Sequence, residues 1–164
     1  MKRERAARSA LDCSGRRFAI VAARFYADLA EMLVDGARRA LRDCNVGDEN
    51  TEFFDVPGCF ELPLACRNLI ERDRFDALVA LGVVIRGETP HFEYVAGECA
   101  RGIMDVQLAT GTPIGFGVLT TENLAQAQER AGRKGGDKGY SAAIAAATLV
   151  AVSAGTPRAG FRRN

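Results

Sequence analysis

Short apolar runs alternate with amphipathic stretches along this chain, and this alternation restricts the possible fold more than any other feature. Four segments are predicted to be strands: Phe18–Ala23, Glu52–Val56, Leu78–Ile85 and Ile114–Leu119. Helical spacing of apolar residues predicts helices over Leu29–Cys44, Glu61–Glu71, His91–Leu108, Asn123–Ala131 and Tyr140–Ser153. Apolar strands separated by helices indicate a parallel sheet that is covered on both faces.

Right-handed crossovers between such strands give a three-layer α/β/α sandwich of α/β class, with a four-stranded parallel sheet. The alternative is a sheet of five strands, in which the N-terminal arm supplies the fifth. The 164 residues suit one domain. We expect a flexible basic N-terminal arm over residues 1–16, a single α/β domain over 17–154 and a flexible basic C-terminal tail over 155–164.

Charge gives little support for a nucleic-acid or membrane partner. The net charge is +1, and the apolar stretch Ala142–Val152 is too short to span a bilayer. The basic ends are interpreted as solvated tails, with a shell-lining or nucleic-acid-touching role as the alternative. The nearly continuous apolar character of the last helix indicates burial on more than one side, which points to contacts between subunits.

The five cysteines indicate a cytoplasmic protein without a zinc site. They are an odd number without CxxC spacing, and the chain has one histidine. We therefore expect reduced, mostly buried thiols. The chain starts without the basic and apolar regions of a secretion signal, so none is predicted.

The ends of the predicted strands are where a ligand is expected, because open parallel sheets bind ligands there. In Ile85–His91 a strand ends, glycine frees the backbone and a helix begins near Pro90. Thr89 is predicted to be the N-cap, and the free N–H groups of the first helical turn would hold an anion. His91 is either a proton-transfer group beside that anion or an ordinary surface histidine.

Two further segments carry candidate site residues. The loop Glu129–Gly139 combines glycines with Arg130 and Lys138, which is typical either of a phosphate-binding loop or of a solvated turn. The segment Pro57–Pro63 places Phe60 and Glu61 at a strand end, with core packing and a helix-start acid as the alternatives. Phe25 and Phe116 are also aromatic at strand ends, so they either stack on a flat heterocycle or belong to the core.

Five motifs in order resemble the lumazine synthases over almost the whole chain, from about Phe18 to Val152. They are Ala23-Arg24-Phe25, PGCFELP from Pro57, GVVIRGETPHFEYVAGE from Gly82, FGVLTTEN from Phe116 and ERAGRKGGDKG from Glu129. The resemblance implies a flavodoxin-like fold and a transferase of riboflavin biosynthesis. The family condenses 5-amino-6-(ribitylamino)uracil with 3,4-dihydroxy-2-butanone 4-phosphate. It forms 6,7-dimethyl-8-ribityllumazine, phosphate and water without cofactor or metal.

The resemblance also implies the role of each candidate residue. Proton transfer and charge stabilisation fall to His91, Arg130 and Lys138. The residues implied to line the pyrimidine and ribityl site are Phe25, Cys59, Phe60, Glu61, Val83, Val84 and Phe116. The residues implied to bind the phosphate are Glu88, Thr89 and Arg130.

The family resemblance further implies a homo-oligomer with active sites between adjacent subunits, and riboflavin synthase as a further partner. The short loop Gly132–Gly136 favours a sixty-subunit shell over an isolated pentamer. Glu88 stands where small residues are usual, and Ser141 stands where many members have an acid. The alternative function is a flavin-binding, lumazine-binding or shell-forming paralogue with little catalytic activity.

Overall fold

The computed structural model describes residues 11–154, which contain four β-strands and five α-helices. In chain order these are β1 (Phe18–Ala23), α1 (Ala27–Asp43), β2 (Thr51–Val56), α2 (Leu62–Arg72), β3 (Ala77–Ile85), α3 (His91–Thr110), β4 (Ile114–Thr121), α4 (Leu124–Ala131) and α5 (Lys138–Ala154). Short 3₁₀ turns at Asp48–Asn50 and Cys59–Glu61 precede β2 and α2.

The strands form one parallel sheet in the order β2-β1-β3-β4. Phe18 of β1 is paired with Thr51 of β2 on one side and with Ala77 of β3 on the other. Leu78 of β3 is paired with Ile114 of β4, which leaves β2 and β4 as the edge strands among the described residues. The predicted four-stranded parallel α/β fold is confirmed.

Alternate residues of the buried strands supply two separate cores, one on each face of the sheet. Phe18, Ile20 and Ala22 of β1 pack with α1, α4 and α5, whereas Ala19, Val21 and Ala23 pack with α2 and α3. The same alternation divides Val79 and Leu81 from Leu78 and Ala80 in β3. This two-sided burial explains why both strands are apolar at every position.

Most element boundaries differ from the sequence-based prediction by one or two residues. Strand β4 continues two residues further, to Thr121, because it remains paired with β3 up to Ile85. The Thr121 hydroxyl is buried and donates to the carbonyl oxygen of Asn123 at 3.1 Å, which allows a polar residue at this strand end. Helix α5 starts at Lys138 rather than at Tyr140.

The predicted tails lie largely outside the described residues. Residues 1–10 and 155–164 are in this category, and so is a fifth strand formed by residues 1–10. The part of the arm that is described, residues 11–16, forms no strand. There, Cys13 is buried and its N–H donates to the Cys44 carbonyl at 2.8 Å. The domain limits of 17 and 154 remain a prediction.

Helices α1 and α5 approach each other closely because glycines occupy the contact. A Cβ atom at Gly139 would lie 2.0 Å from the carbonyl oxygen of Leu33, and one at Gly36 would lie 2.8 Å from the backbone nitrogen of Tyr140. Both distances are shorter than van der Waals contact. The backbone of α1 therefore lies directly against the first turn of α5, where Lys138 is located.

We expect Gly139→Ala to lower the free energy of unfolding by about 3 kcal/mol, because the added methyl forces two backbones apart. Chemical denaturation would measure this loss. Gly97→Ala is the matched control, since a Cβ there meets nothing within 4 Å inside a helix. The control is expected to be neutral or slightly stabilising. A Gly139 variant as stable as the Gly97 variant would contradict the close approach.

Candidate active site

A cavity of about 530 Å³ lies at the carboxyl ends of β1, β2 and β3. We call it the first cavity. Eight of the predicted site residues line it: Phe25, Cys59, Phe60, Glu61, Val83, Val84, Thr89 and His91. This is the edge of the sheet at which a parallel α/β fold is expected to bind its ligand.

Two phenylalanine rings of the first cavity are exposed, which rejects their alternative interpretation as core residues. Phe25 is 76% exposed and Phe60 is 60% exposed. Arg24 helps to fix the segment that carries Phe25, since its Nε donates to Asp55 at 2.7 Å and its backbone N–H donates to Val56 at 2.9 Å. Two exposed rings at one cavity form a surface suited to stacking against a flat heterocycle.

Cys59 forms part of the floor of the first cavity and is not a nucleophile. Its side chain is buried, and its thiol donates to the carbonyl oxygen of Val83 at 3.8 Å. Burial raises the pKa of Cys59 to about 11, so the thiol is protonated at neutral pH. A Cβ at Gly82 would lie 2.5 Å from the Cys59 sulfur, so glycine is needed for the thiol to approach β3.

Glu61 is exposed at the end of the 3₁₀ turn Cys59–Glu61, immediately before α2. Its backbone N–H donates to Gly58 at 3.3 Å, which closes the turn. Its carboxylate is thereby held at the rim of the first cavity, where it can accept hydrogen bonds from hydroxyl groups of a ligand.

The start of α3 is the candidate anion site, but the predicted cap is wrong. Pro90, rather than Thr89, occupies the N-cap position, and no side chain among the described residues caps this helix. Thr89 lies one residue too early for its hydroxyl to take that role. The first N–H groups of α3 are therefore left without a side-chain cap, as a bound anion requires. His91 is the first residue of α3 and is exposed.

Arg86 connects the strand ends around this candidate anion site. Its Nε donates to Glu122 at 2.8 Å, its guanidinium pairs with Glu93 in α3, and it lies 4.3 Å from the ring centroid of Phe92. The contacts join β3, β4 and α3. Glu88 follows in the same loop and is exposed, and among the described residues it lines neither cavity.

Two tyrosines that line the first cavity, Tyr26 and Tyr94, were not among the residues predicted from the sequence. Helical spacing could have identified Tyr94, because it lies three residues after His91 and therefore shares its face of α3. Tyr26 follows Phe25, and the two rings meet edge to face at 5.0 Å. The position of Tyr26 directly after the predicted site residue Phe25 could have identified it.

A second cavity of about 350 Å³ lies between the edge strand β4 and the start of α5. Phe116, Arg130 and Lys138 line it, together with Ser141. Phe116 is 46% exposed, and the side chains of Arg130 and Lys138 are exposed as well. One chain therefore places the predicted site residues other than Glu88 in two separate cavities, with Phe25, Phe60 and His91 in the first and Phe116 with the two basic groups in the second.

The family model described as 6,7-dimethyl-8-ribityllumazine synthase matches residues 15–154 of this chain. The chain belongs to the 6,7-dimethyl-8-ribityllumazine synthase family. This confirms the resemblance drawn from the five motifs. The residues matched to the lumazine synthase model include every element that lines the two cavities.

Two relatives named 6,7-dimethyl-8-ribityllumazine synthase are similar over most of their length. The one from Cutibacterium acnes (strain DSM 16379 / KPA171202) is 55% identical over 148 residues, which cover 88% of this chain and 87% of the relative. The one from Desulfatibacillum aliphaticivorans is 46% identical over 140 residues, which cover 85% of this chain and 90% of the relative.

Residues 11–154 of this lumazine synthase family member lack two structural features. No helix there has the length and apolarity needed to cross a membrane. The same residues contain no group of three His, Cys, Asp or Glu side chains arranged to hold a metal ion.

Proposed function

We propose that this protein condenses 5-amino-6-(ribitylamino)uracil with 3,4-dihydroxy-2-butanone 4-phosphate to form 6,7-dimethyl-8-ribityllumazine. The observation that carries the proposal is the first cavity, where two exposed phenylalanine rings lie beside an uncapped helix start and a histidine. The lumazine synthase family and the named relatives support the same reaction.

The first cavity holds the pyrimidine. Phe25 and Phe60 stack on its ring, the backbone of Val83 and Val84 contacts its polar edge, and Glu61 accepts hydrogen bonds from the ribityl hydroxyls. Cys59 closes the floor. These contacts fix the two amino nitrogens of the pyrimidine, so the ketone meets them in one orientation.

The phosphate of the second substrate lies at the start of α3. The backbone N–H groups of Glu88 and Thr89, with the Thr89 hydroxyl, are the donors, and the positive end of the helix dipole favours the dianion. The Glu88 side chain is exposed and is not among the residues that line the first cavity, so its negative charge is not expected to oppose binding. Arg130 supplies the balancing positive charge.

Three chemical steps connect substrates and product. The 5-amino nitrogen attacks the ketone carbon, and water leaves to give an imine. Loss of the proton from the adjacent carbon then expels the phosphate, and the enol that forms becomes a ketone. The ribityl-bearing nitrogen attacks this ketone, and a second water leaves as the ring closes.

Proton transfer accompanies each of these steps. His91 is the group that carries the protons, because imidazole both accepts and donates protons near neutral pH. Arg130 stabilises the departing phosphate, and Lys138 lies beside the reacting groups. Amines and ketones combine readily without a catalyst, so much of the acceleration comes from orientation.

The active site is completed by a neighbouring subunit, because one chain separates Arg130, Lys138 and Phe116 from the first cavity. Joining the first cavity of one subunit to the second cavity of the next is a heterologous contact, and repetition of such a contact gives a ring when the rotation between subunits closes. We infer a pentamer, and favour a sixty-subunit shell built from pentamers because the loop Gly132–Gly136 is short. Sedimentation velocity distinguishes a shell from a pentamer, and a monomer would contradict the shared site.

The proposal also includes a cellular compartment and a partner protein. The five cysteines of the chain are free and buried, which fits a reducing cytoplasm. Riboflavin synthase is the further partner proposed, because it consumes the lumazine product.

The direct test mixes the purified protein with both substrates and follows the appearance of the fluorescent lumazine. We expect a rate well above that of the spontaneous reaction in the same buffer. A rate equal to the spontaneous one would favour the alternative, a binding or shell-forming paralogue without catalysis.

Co-expression of two impaired variants tests the shared site. We expect His91→Ala and Arg130→Ala subunits, assembled together in equal amounts, to recover about a quarter of the parental activity. Random neighbours place an intact first cavity beside an intact second cavity in about one contact in four. Activity per site is measured on oligomers purified through a different tag on each subunit.

The matched control co-expresses His91→Ala with Phe25→Ala. Both changes affect the first cavity, so every site contains one damaged half and no recovery is expected. If the His91 and Arg130 pair also showed no recovery, the two cavities would not be completing each other across subunits.

A further inference from the structure

The loop of residues 132–137, between α4 and α5, holds the two basic side chains of the second cavity at its ends. Arg130 precedes the loop and Lys138 follows it. The N–H of Gly136 donates to the Glu129 carbonyl at 2.9 Å, and a Cβ at Gly136 would lie 3.1 Å from the Arg130 Cα. A shift of this loop would therefore move both basic groups.

Asp137, the last residue of the loop, has a strained backbone. Its φ angle is +45°, a left-handed conformation that costs about 1 kcal/mol or more in a residue other than glycine. Its N–H donates to Gly132 at 3.1 Å, and its carbonyl oxygen accepts from the Ser141 N–H at 3.1 Å. This conformation sets the direction in which α5 starts, and so the position of Lys138.

The side chain that holds Asp137 in place is Arg39 of α1. Both terminal nitrogens of its guanidinium donate to the Asp137 carboxylate, at 3.0 and 2.9 Å. The two side chains are only 20% and 22% exposed, so solvent screens this pair less than it screens the surface ion pairs. Bidentate pairing fixes the orientation of the carboxylate as well as its distance.

Arg39 is itself fixed by neighbours on α1 and α5. Its Nε donates to Asp35 at 2.8 Å, and its guanidinium lies 5.7 Å from the ring centroid of Tyr140. The Tyr140 hydroxyl in turn donates to Asp43 at 2.7 Å. Helix α1 therefore contacts the start of α5 through a connected set of polar groups. We call Arg39 and Asp137 the clamp.

We propose that the clamp positions Arg130 and Lys138 for the phosphate-bearing substrate, an inference that rests on the proposed function. Neither clamp residue is among those that line the two cavities, so both act through the residues beside them. A displacement of a binding group by about 1 Å reduces a rate by as much as a hundredfold. Arginine is required at position 39, because lysine keeps the charge but loses the two-pronged contact.

The test compares Arg39→Lys and Asp137→Asn with the parental enzyme, as assembled oligomers. Each substitution is conservative, and asparagine also tolerates a left-handed backbone. We expect each to lower kcat/KM for the ketone phosphate by about tenfold. The KM for the pyrimidine is expected to remain within about twofold, since its contacts lie in the first cavity.

Arg42→Lys is the matched control on the same helix. Arg42 pairs with Asp48 at 2.7 Å, and this contact does not involve the loop. We expect the kinetic constants of the control to equal those of the parental enzyme. If Asp137→Asn does not fold, Arg39→Lys tests the clamp alone, because its backbone stays helical and its charge is retained.

Four results overturn the positioning role, and only the last of them also overturns the proposed function. Equal losses for both substrates, or a loss of melting temperature without a kinetic change, would show a structural role only. Parental constants in both variants would show that the loop holds its position unaided. A parental enzyme that fails to accelerate the reaction would overturn the proposed function, and the positioning role with it.

Discussion

Replacing Arg130 with alanine is expected to lower kcat/KM for the ketone phosphate by about a hundredfold to a thousandfold, the usual cost of removing one charge-stabilising group. Arg130 is exposed in the second cavity, and its NH1 is 3.4 Å from the Gln126 carbonyl oxygen, which leaves most of its donors available. The guanidinium is proposed to contact the phosphate both in binding and in departure. Steady-state kinetics with each substrate varied in turn would measure the loss.

Binding of the pyrimidine should change little in this variant, because the residues proposed to hold it line the first cavity. Arg133→Ala is the matched control, since Arg133 is an exposed arginine of the adjoining loop and is not among the residues that line either cavity. We expect parental kinetics from the control. Equal losses for the pyrimidine and the phosphate in Arg130→Ala would remove Arg130 from its assigned role.

The sheet was predictable from sequence because burial on both faces makes its central strands apolar at every position. For this reason both ends of β1 were predicted correctly, at Phe18 and Ala23. The prediction for β3 began at Leu78 and omitted only its first residue, Ala77. The polar end of β4 was missed, since Thr120 and Thr121 resemble loop residues. Only the pairing with β3 and the hydrogen bond from Thr121 identify them as strand.

The residues at the strand ends were predictable from sequence, and the family resemblance implied that Arg130, Lys138 and Phe116 lie on the side of a neighbouring subunit. Sequence patterns alone did not show which of these residues one chain brings into the same cavity. Motifs show which residues follow each strand, and parallel topology brings Phe25, Phe60 and His91 to one edge of the sheet. Whether an aromatic ring is buried or exposed depends on packing, so the exposure of Phe25 appeared only in the structure. The positions of Arg130 and His91 along the chain likewise do not show that the two residues line different cavities.

Side chain contacts far apart in sequence were beyond prediction. Arg39 and Asp137 are separated by 98 positions, and nothing in either local pattern indicates that they pair. The Thr89 cap failed for a local reason. The rule for helix starts favours threonine, but Pro90 occupies the cap position and leaves the first turn open.

Replacing His91 with alanine is expected to slow turnover by about tenfold to a thousandfold, as removal of one acid–base group does. His91 begins α3 at the first cavity, beside the proposed phosphate site. The KM values should change little, because His91 is proposed to move protons rather than to hold a substrate. Single-turnover measurements at saturating substrate would isolate the chemical steps.

The residual rate of His91→Ala distinguishes proton transfer from positioning. The rings of Phe25 and Phe60 remain, so the variant should still exceed the spontaneous reaction by orienting the substrates. His91→Gln is the matched comparison, because glutamine keeps a hydrogen-bonding side chain but cannot carry a proton at neutral pH. We expect it to be as slow as the alanine variant. A glutamine variant with the parental rate would show that His91 acts through hydrogen bonding, and an unchanged alanine variant would exclude it from the mechanism.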